Sequence, residues 1–318
     1  MRENVAVVTG ANGFIGKNLV GLLIEKGYKV AAVPRELLNS PDGLVIFLES
    51  AKPTHIFHLA SYGNHVNQTE DDEIFGTNIV KTYLLLRASL AVDYRAFINF
   101  SSSSVYGIKD KPMNEADLPE TNSFYGITKL SAEYLCRAFA KKYNRPIVSV
   151  RPFSVFGPGE AEHRFIPSAI KAIDKGLPYT LYSDPVHDWV YIEDLLNAVF
   201  SVAENIHQCK SGVVNIGTSK QHSNQEVFEN LLYISGKKHN PVIKRDGRDY
   251  DSGSWRADTS LITSLGWHPK QTLMSGLEKT YNWFTNGTVE PTLQDAIDKS
   301  LDMLGQGNFT EFDKLNEE

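Results

Sequence analysis

The residues of this sequence best suited to move a proton are Tyr125 and Lys129, which stand four positions apart. In a helix this spacing places both side chains on one face. A tyrosine ordinarily titrates near pH ~10, and a neighbouring ammonium favours its phenolate, so the pair predicts a tyrosine whose pKa is lowered toward the working range. The same spacing is common on amphipathic helices, where a half-buried tyrosine lies beside a solvated lysine. The pair alone therefore does not define a site.

Four consecutive serines, residues 101–104, follow the apolar run of residues 96–100. Hydroxyls at the carboxyl end of a strand can bind a substrate oxygen. They can equally satisfy backbone groups in a turn. By itself the run leaves both interpretations open.

A glycine-rich segment, Thr-Gly-Ala-Asn-Gly-Phe-Ile-Gly, covers residues 9–16 between a β-rich run and a helical pattern. Glycines in this order suit a tight turn, close approach of the backbone to a pyrophosphate and close helix–strand packing. The N-terminus of the following helix offers N–H groups and a partial positive charge to the anion. The segment predicts a dinucleotide site formed by Gly10, Asn12, Gly13, Phe14, Ile15 and Gly16.

The position that selects the cofactor follows the second strand, about 20 residues after the glycine-rich segment. An acidic residue there would bind the ribose 2′-hydroxyl and repel a 2′-phosphate. The sequence instead has Pro34-Arg35-Glu36. The planar guanidinium of Arg35 suits a phosphate, so NADP(H) is favoured and NAD(H) remains possible.

The elements that must position these residues alternate between β-rich runs and helical patterns. Strands are predicted at residues 5–9, 29–33, 54–59, 96–101 and 147–151, and helices at 15–26, 43–51, 72–90 and 125–143. The alternation predicts right-handed βαβ units and an α/β fold with a doubly wound, parallel Rossmann sheet. In such sheets ligands bind beyond the carboxyl ends of the strands.

After about residue 160 this alternation weakens. We expect residues 1–160 to form the dinucleotide-binding domain, with later returns near 186–217. Residues 161–285 are expected to form mainly a smaller, interleaved substrate-binding lobe. Residues 286–318 form a tail to which the sequence assigns no role.

The composition restricts the class of protein. Hydrophobic residues make up 42% and charged residues 22%, with a formal net charge of −6. The mild acidity argues against a nucleic-acid binder, which needs a basic surface, and the lack of an 18-residue apolar run or a basic patch argues against a membrane partner. Cys136 and Cys209 are too few for a disulfide framework or a zinc cluster. We therefore expect a cytoplasmic protein with no metal site.

Taken together, these motifs resemble the extended short-chain dehydrogenase/reductase family, which includes nucleotide-sugar epimerases, dehydratases and 4-keto reductases. The resemblance covers about residues 4–285. Further family-like features are His58-Leu59-Ala60, Asn78, Arg151-Pro152, Phe156-Gly157-Pro158-Gly159, Asp188-Trp189-Val190-Tyr191, Asn215-Ile216-Gly217 and Ala257-Asp258.

The resemblance implies a catalytic triad of Ser102, Tyr125 and Lys129. Ser102 and Tyr125 would bind the oxygen at sugar C4, with Tyr125 moving the proton and Lys129 holding the nicotinamide ribose. It also implies cofactor contacts from Leu59, Ala60, Asn78, Tyr125 and Lys129.

The substrate implied by the resemblance is a nucleotide-diphosphate sugar. Relatives often have an arginine where this chain has His187, and many have an asparagine at Ser154. Arg248 matches a diphosphate-binding arginine of the family, and Arg164 is a further candidate. The implied substrate-binding residues are Ser103, Ser104, Ser154, Arg164, His187 and Arg248.

Departures from the family pattern reduce the number of activities that the resemblance allows for this chain. Dehydratases carry an Asp-Glu pair directly after the catalytic hydroxyl, where this chain has Ser103 and Ser104. With Arg35, this favours an NADP(H)-dependent reductase of a 4-keto-(6-deoxy) nucleotide sugar. The alternatives are an NAD-dependent C4 epimerase and a catalytically silent dinucleotide-binding regulator. The family also implies a homodimer joined through the helices at 72–90 and 125–143.

Overall fold

The computed structural model describes residues 3–64, 67–245 and 254–287. Its strands are β1 (Val5–Thr9), β2 (Lys29–Val33), β3 (His55–His58), β4 (Ala96–Phe100), β5 (Ile147–Pro152), β6 (Ser154–Phe156), β7 (Thr180–Tyr182), β8 (Val186–His187), β9 (Trp189–Tyr191), β10 (Val213–Ile216), β11 (His222–Ser223) and β12 (Val242–Lys244). Its α-helices are α1 (Phe14–Glu25), α2 (Pro41–Ala51), α3 (Asp71–Phe75), α4 (Thr82–Ala88), α5 (Phe124–Tyr143), α6 (Phe165–Lys175), α7 (Ile192–Glu204), α8 (Asn224–Ser235), α9 (Ser260–Ser264) and α10 (Leu273–Asn286).

Within these residues a six-stranded parallel sheet has the order β10-β5-β4-β3-β1-β2. Alternate residues of each strand face opposite sides, as the side-chain period of two requires. Val8 joins a core with Leu19 of α1 and Leu195 of α7. Val7 joins a separate core with Leu48 of α2. The predicted α/β class with a doubly wound sheet is confirmed.

The strand order reverses beside β1, since β2 lies on one side of it and β3 on the other. Successive connections therefore leave in opposite directions there, and a crevice opens at the carboxyl ends of β1 and β3. The glycine-rich segment follows β1, and residues 59–64 follow β3. The sheet thus brings these two loops to its ligand-binding edge.

Helix α5 is the element that carries Tyr125 and Lys129. It begins after Ser123, whose hydroxyl accepts the Gly126 N–H, and it ends at Asn144, which adopts the left-handed conformation with φ 51°. Both are common ways to satisfy the free backbone groups of helix ends. Helix α5 packs against β5 and against the turn that follows β4, and this packing brings Tyr125 close to Ser102.

The predicted helix at 72–90 is interrupted. A π-helical segment, Gly76–Lys81, joins α3 to α4, and a 3₁₀ turn, Ser89–Ala91, follows. A π segment widens the turn locally and is frequent at functional sites. Asn78 lies within it.

Outside the central sheet, the described residues form three two-stranded sheets, which pair β6 with β9, β8 with β11 and β7 with β12. Helices α8 and α10 pack against strands of these sheets, and α6 packs against both helices. Phe228 of α8 and Leu277 of α10 join the same core as α1. Arg248 and the tail from residue 288 onward lie outside the described residues. None of the described helices is long and apolar enough to cross a membrane.

Candidate active site

The glycine-rich segment has a shape that only glycine permits at two positions. Gly10 has φ +69°, and a Cβ there would lie 2.8 Å from the backbone nitrogen of Ala60. A Cβ on Gly16 would collide with the Gly10 carbonyl oxygen. These contacts bring the loop after β1 against Leu59 and Ala60 after β3, which are the residues predicted to line the cofactor site.

The middle glycine faces open space. A Cβ on Gly13 would meet only the Gly10 oxygen, at 3.4 Å, and Asn12 and Gly13 are exposed. Helix α1 begins at Phe14, and no side chain caps its first turn. The first N–H groups of a helix without a cap are free to bind an anion. The cradle therefore fits the pyrophosphate of a dinucleotide.

A chain of hydrogen bonds below the crevice holds the two loops in register. Thr9 Oγ1 accepts the N–H groups of Leu59 and Ala60, both at 3.1 Å. Its own proton must then go to His58 Nδ1, at 2.7 Å. His58 Nε2 lies 2.8 Å from Thr82 Oγ1, which donates to the Asn78 carbonyl.

This pattern needs a neutral His58 that is protonated on Nε2, because a protonated Nδ1 would find no free acceptor on Thr9. Burial first, and the positive charge of Lys129 second, lower the pKa of His58 to about 3. His58 is therefore a fixed, uncharged bridge between β1 and the π segment.

Asn78 joins three parts of the site. Its side chain accepts the Tyr62 N–H at 2.9 Å and donates to the Tyr62 carbonyl at 2.8 Å. It also donates to Thr128 of α5 at 2.9 Å. Its side-chain amide braces the loop after β3 against α5, one residue before Lys129, rather than reaching into open space.

The structure brings Ser102 and Tyr125 together. Ser102 caps the short 3₁₀ turn Ser103–Tyr106, and its hydroxyl accepts the Ser104 N–H at 3.1 Å. The hydroxyls of Ser102 and Ser61 lie close enough to the phenol of Tyr125 to lower its pKa. Ser61, on the loop after β3, is a contact that the sequence analysis did not identify.

The electrostatics of the Tyr125–Lys129 pair differ from the prediction. Burial raises the pKa of Tyr125 and outweighs the lowering effects of the Ser61 and Ser102 hydroxyls and of the Arg164 charge. The predicted lowering by Lys129 is wrong for this structure. Burial instead lowers the pKa of Lys129 to about 8, against weaker opposing effects of Cys136 and Glu133.

One turn beyond Lys129, α5 carries a buried carboxylate, Glu133. Arg151 of β5 binds both of its oxygens, at 2.8 and 2.7 Å, and Ser101 donates to it at 2.5 Å. Both partners of the ion pair are fully buried. The pair ties α5 to β5 beneath the site. Glu133 was not predicted, although its spacing continues the Tyr125–Lys129 series on the same helix face.

The predicted substrate-binding residues lie in several parts of the fold. Arg164 lies near the triad: its Nη1 donates to the Asn64 carbonyl at 3.3 Å, its Nε is 3.9 Å from Glu160, and its charge acts on Tyr125. Ser103 is buried and Ser104 half-buried in the turn after β4. Ser154 belongs to β6, and His187 of β8 contacts the Trp189 ring.

Glu160 is a further carboxylate that the sequence analysis missed. It is buried in the loop before α6, and burial raises its pKa to about 8. Its Oε2 has no hydrogen-bond partner among the described residues. No group of three or more His, Cys, Asp or Glu residues in the described ranges could hold a metal ion.

Arg35 lies two residues beyond β2, and its Nη2 bonds Glu73 of α3 at 3.0 Å. The same carboxylate oxygen accepts from Thr77 and from Lys81. Sequence reasoning could not identify Glu73, because it stands 38 residues from Arg35.

Comparison with known proteins identifies a family. A model of the NAD-dependent epimerase/dehydratase family matches residues 6–217. The solved structure of MoeE5 in complex with UDP-glucose and NAD is similar with a TM-score of 0.80 and 32% sequence identity, covering 89% of this chain and 99% of that chain.

Two curated relatives illustrate the activities found among similar sequences. GDP-6-deoxy-D-talose 4-dehydrogenase of Aggregatibacter actinomycetemcomitans is 30% identical over 249 residues, which are 76% of this chain and 82% of the relative. The trifunctional UDP-glucose 4,6-dehydratase/UDP-4-keto-6-deoxy-D-glucose 3,5-epimerase/UDP-4-keto-L-rhamnose-reductase of Arabidopsis thaliana is 26% identical over 321 residues. That match covers 88% of this chain and 46% of the plant protein, so the chain spans about half of its length.

Proposed function

The chain belongs to the NAD-dependent epimerase/dehydratase family, and we propose that it is an NADP(H)-dependent reductase of a 4-keto-(6-deoxy) nucleotide-diphosphate sugar. The observation that carries the proposal is the contact of Tyr125 with Ser102 at the end of β4, one helical turn from Lys129. Ser103 and Ser104 follow Ser102, so the site has no carboxyl pair there for elimination of water. Hydride transfer without dehydration is the chemistry that this set of residues supports.

The chain's own residues supply positioning and a proton. Ser102 and Tyr125 present two hydroxyls to one oxygen, that of sugar C4, and Tyr125 donates the proton that this oxygen needs when the ketone becomes an alcohol. Its raised pKa keeps the phenol protonated, as a proton donor must be. A bound nicotinamide cofactor would supply the hydride.

Lys129 is placed to bind a sugar hydroxyl of the cofactor. It is buried on the same face of α5 as Tyr125, and burial lowers its pKa to about 8. A buried ammonium is costly unless its surroundings provide acceptors, and a ribose hydroxyl would provide one. This supports the role that the family resemblance implies for it.

Charged residues of the lobe support an anionic substrate. Arg164 lies close enough to act on Tyr125 and contacts the loop after β3. We assign it to the diphosphate, with Arg248 as the second cation and with Ser154 and His187 toward the sugar or nucleotide. The test is replacement of Arg164 by Gln, which should raise KM for the nucleotide sugar more than it lowers kcat.

A second candidate is an NAD-dependent C4 epimerase. It is favoured by the ion pair between Arg35 and Glu73, which places a carboxylate next to the cation expected to bind a 2′-phosphate. The similar MoeE5 structure contains NAD.

One experiment separates the two candidates. The purified protein is denatured, any released nicotinamide nucleotide is identified, and the cofactor-free protein is titrated with NADPH and NADH. Little bound cofactor, an NADPH preference that Arg35→Ala removes, and oxidation of NADPH by a 4-keto-6-deoxy nucleotide sugar would support the reductase. Tightly held stoichiometric NAD would overturn it in favour of the epimerase.

We further propose a homodimer formed through the α3–α4 segment and α5. Both carry exposed apolar side chains, among them Phe75, Val80 and Tyr134, and the rings of Phe75 and Phe124 are 5.9 Å apart, which joins the two helices into one surface. An apolar patch of this kind marks an interface. Light scattering should give twice the chain mass, and Tyr134→Glu should give the monomer.

The expected location is a reducing compartment such as the cytoplasm. Cys136 and Cys209 are both buried free thiols, and burial raises the pKa of Cys209 to about 11. A fluorescent fusion in the source cells would test this location.

A further inference from the structure

The carboxylate of Glu73 joins two cations that differ in burial. Its Oε1 accepts from Arg35 Nη2 at 3.0 Å, from Lys81 Nζ at 3.3 Å and from Thr77 Oγ1 at 2.8 Å. The Lys81 side chain is 10% exposed and that of Arg35 is 71% exposed. Lys81 is therefore held within the protein, whereas Arg35 lies at the surface.

This cluster lies where the fold selects its cofactor. Arg35 comes two residues after β2, at the edge of the crevice beside β1, and this position reads the adenosine ribose in doubly wound dinucleotide folds. Glu73 reaches it from α3, on the other side of β1. Hydrogen bonds from Thr77 and Arg35 lower the pKa of Glu73, so it carries a full negative charge at neutral pH.

We propose that Glu73 sets the choice between NADP(H) and NAD(H), by holding Arg35 when the ribose carries a hydroxyl and releasing it to a 2′-phosphate. The inference rests on the proposed function only in requiring a nicotinamide dinucleotide cofactor.

Release of Arg35 leaves no unpaired charge behind. Thr77 and Lys81 still bind the Glu73 carboxylate after Arg35 has moved. The bond that breaks is between solvent-exposed groups, which is weak, and the guanidinium fork gains a bidentate phosphate contact. Arg35 can therefore exchange the Glu73 carboxylate for a phosphate at little cost in free energy.

Glu73 also acts against NADP(H), because its charge lies next to that of an incoming phosphate and repels it. The balance of these effects predicts a chain that accepts both cofactors, with Glu73 holding back NADP(H). Neutralising Glu73 should move the preference toward NADP(H), and removing Arg35 should move it toward NAD(H).

The test measures affinity and needs no sugar substrate. The full chain is titrated with NADPH and with NADH, following the fluorescence of the reduced nicotinamide. In Glu73→Gln the ratio of NADPH to NADH affinity should rise about ten-fold. Asp72→Asn is the matched control: it removes one charge from the neighbouring residue of the same turn, and the ratio should change less than about three-fold.

A double variant tests the coupling. In Arg35→Ala the ratio of NADPH to NADH affinity should fall. Adding Glu73→Gln to Arg35→Ala should raise this ratio by less than half of the ten-fold rise expected for Glu73→Gln alone, because the two residues act as a pair. An unchanged ratio in Glu73→Gln, or equal changes in Glu73→Gln and Asp72→Asn, would overturn the inference. So would a failure to bind either cofactor.

The outcomes also distinguish the inference from the proposed function. Binding of both cofactors with the expected shift, but no reduction of any 4-keto nucleotide sugar, would overturn the reductase and leave the role of Glu73 standing. Sugar reduction with an unchanged cofactor ratio would do the reverse.

Discussion

The two ends of the candidate cofactor site differ in how far their charged side chains are exposed to solvent. At the triad end, Lys129, Glu133 and Arg151 are removed from water, and Arg151 and Glu133 form a bidentate pair. At the ribose end, Arg35 and Glu73 form an ion pair in contact with solvent. Burial makes charge placement permanent, because moving or unpairing a buried charge is costly. Exposure makes it exchangeable, because water and salt compete for it.

This difference suits the two tasks. Proton transfer needs groups whose positions and pKa values do not depend on chance contacts with solvent, and burial shifts the pKa of both Tyr125 and Lys129. Cofactor recognition needs a cation that can change partners as the ligand arrives and leaves.

Loss of the Tyr125 hydroxyl should have the largest effect. Tyr125→Phe removes the proton donor, and we expect kcat to fall about a thousand-fold, measured by NADPH oxidation with a 4-keto-6-deoxy nucleotide sugar. Cofactor affinity should stay within about two-fold, since the backbone cradle is unchanged. Tyr233→Phe, at a side chain of α8 that is 81% exposed, is the control. Near-wild-type turnover of Tyr125→Phe would show that the phenol is not the donor.

Breaking the buried ion pair comes next. Arg151→Met leaves Glu133 buried without its cation, and the free energy of unfolding should drop by about 3 kcal/mol in a urea titration. The double variant Arg151→Met/Glu133→Met leaves no unpaired charge and should recover most of this loss. Lys279→Met, in the exposed pair with Glu193, should cost less than about 1 kcal/mol. Equal losses in the single and double variants would contradict the account.

Lys129 should lower the free energy of unfolding of the chain. Its pKa is about 8 in the folded chain against an ordinary value of 10.5, so between these values the unfolded chain binds more protons than the folded one. The free energy of unfolding therefore rises with pH through this window. Lys129→Met should be more stable than wild type by about 3 kcal/mol at pH 7 and should lose most of the rise.

The exposed Lys141 of α5 serves as the control for this prediction, because Lys141→Met should leave both the stability at pH 7 and its pH dependence unchanged. A Lys129→Met variant that is less stable than wild type at pH 7 would show that the ammonium is well solvated or paired.

Salt concentration should affect cofactor affinity at the ribose end but not stability at the triad end, and this is the smallest of the expected effects. Between 20 and 200 mM salt, affinity for NADPH should fall about three-fold more than affinity for NADH, because the 2′-phosphate contact with Arg35 is exposed and screened. Stability differences at Arg151 should not change over the same range. Equal salt dependence for both cofactors would indicate that Arg35 does not meet the phosphate.

Much of the central fold could be predicted from the sequence. The β-rich runs ending at Thr9, His58 and Phe100 and the periodic helices between them are local signals, and their alternation permits few topologies. Helix α8 was missed, although Ser223 and Glu226 form a capping box at its start. The helix is mostly polar, so the spacing of its apolar residues is a weak signal in the sequence. Phe228 and Leu231 nevertheless pack into the core.

The candidate site could be predicted where its residues are local. The glycine spacing and the Tyr125–Lys129 interval are contained in short segments. The direction of the Tyr125 pKa could not be predicted, because burial in the folded chain outweighs the lowering effects of Ser61, Ser102 and Arg164. The identification of the extended short-chain dehydrogenase/reductase family from these motifs is confirmed.

The sequence by itself determined the family, the doubly wound sheet and the residue types of the proposed proton-transfer group, since these follow from short-range spacing and periodicity. Only the tertiary structure decided which charges are buried and which partner each one has. It pairs Arg151 with Glu133, Arg35 with Glu73 and His58 with Thr9 and Thr82. Desolvation and pairing are properties of three-dimensional neighbours, and those neighbours lie up to 49 residues apart in the chain.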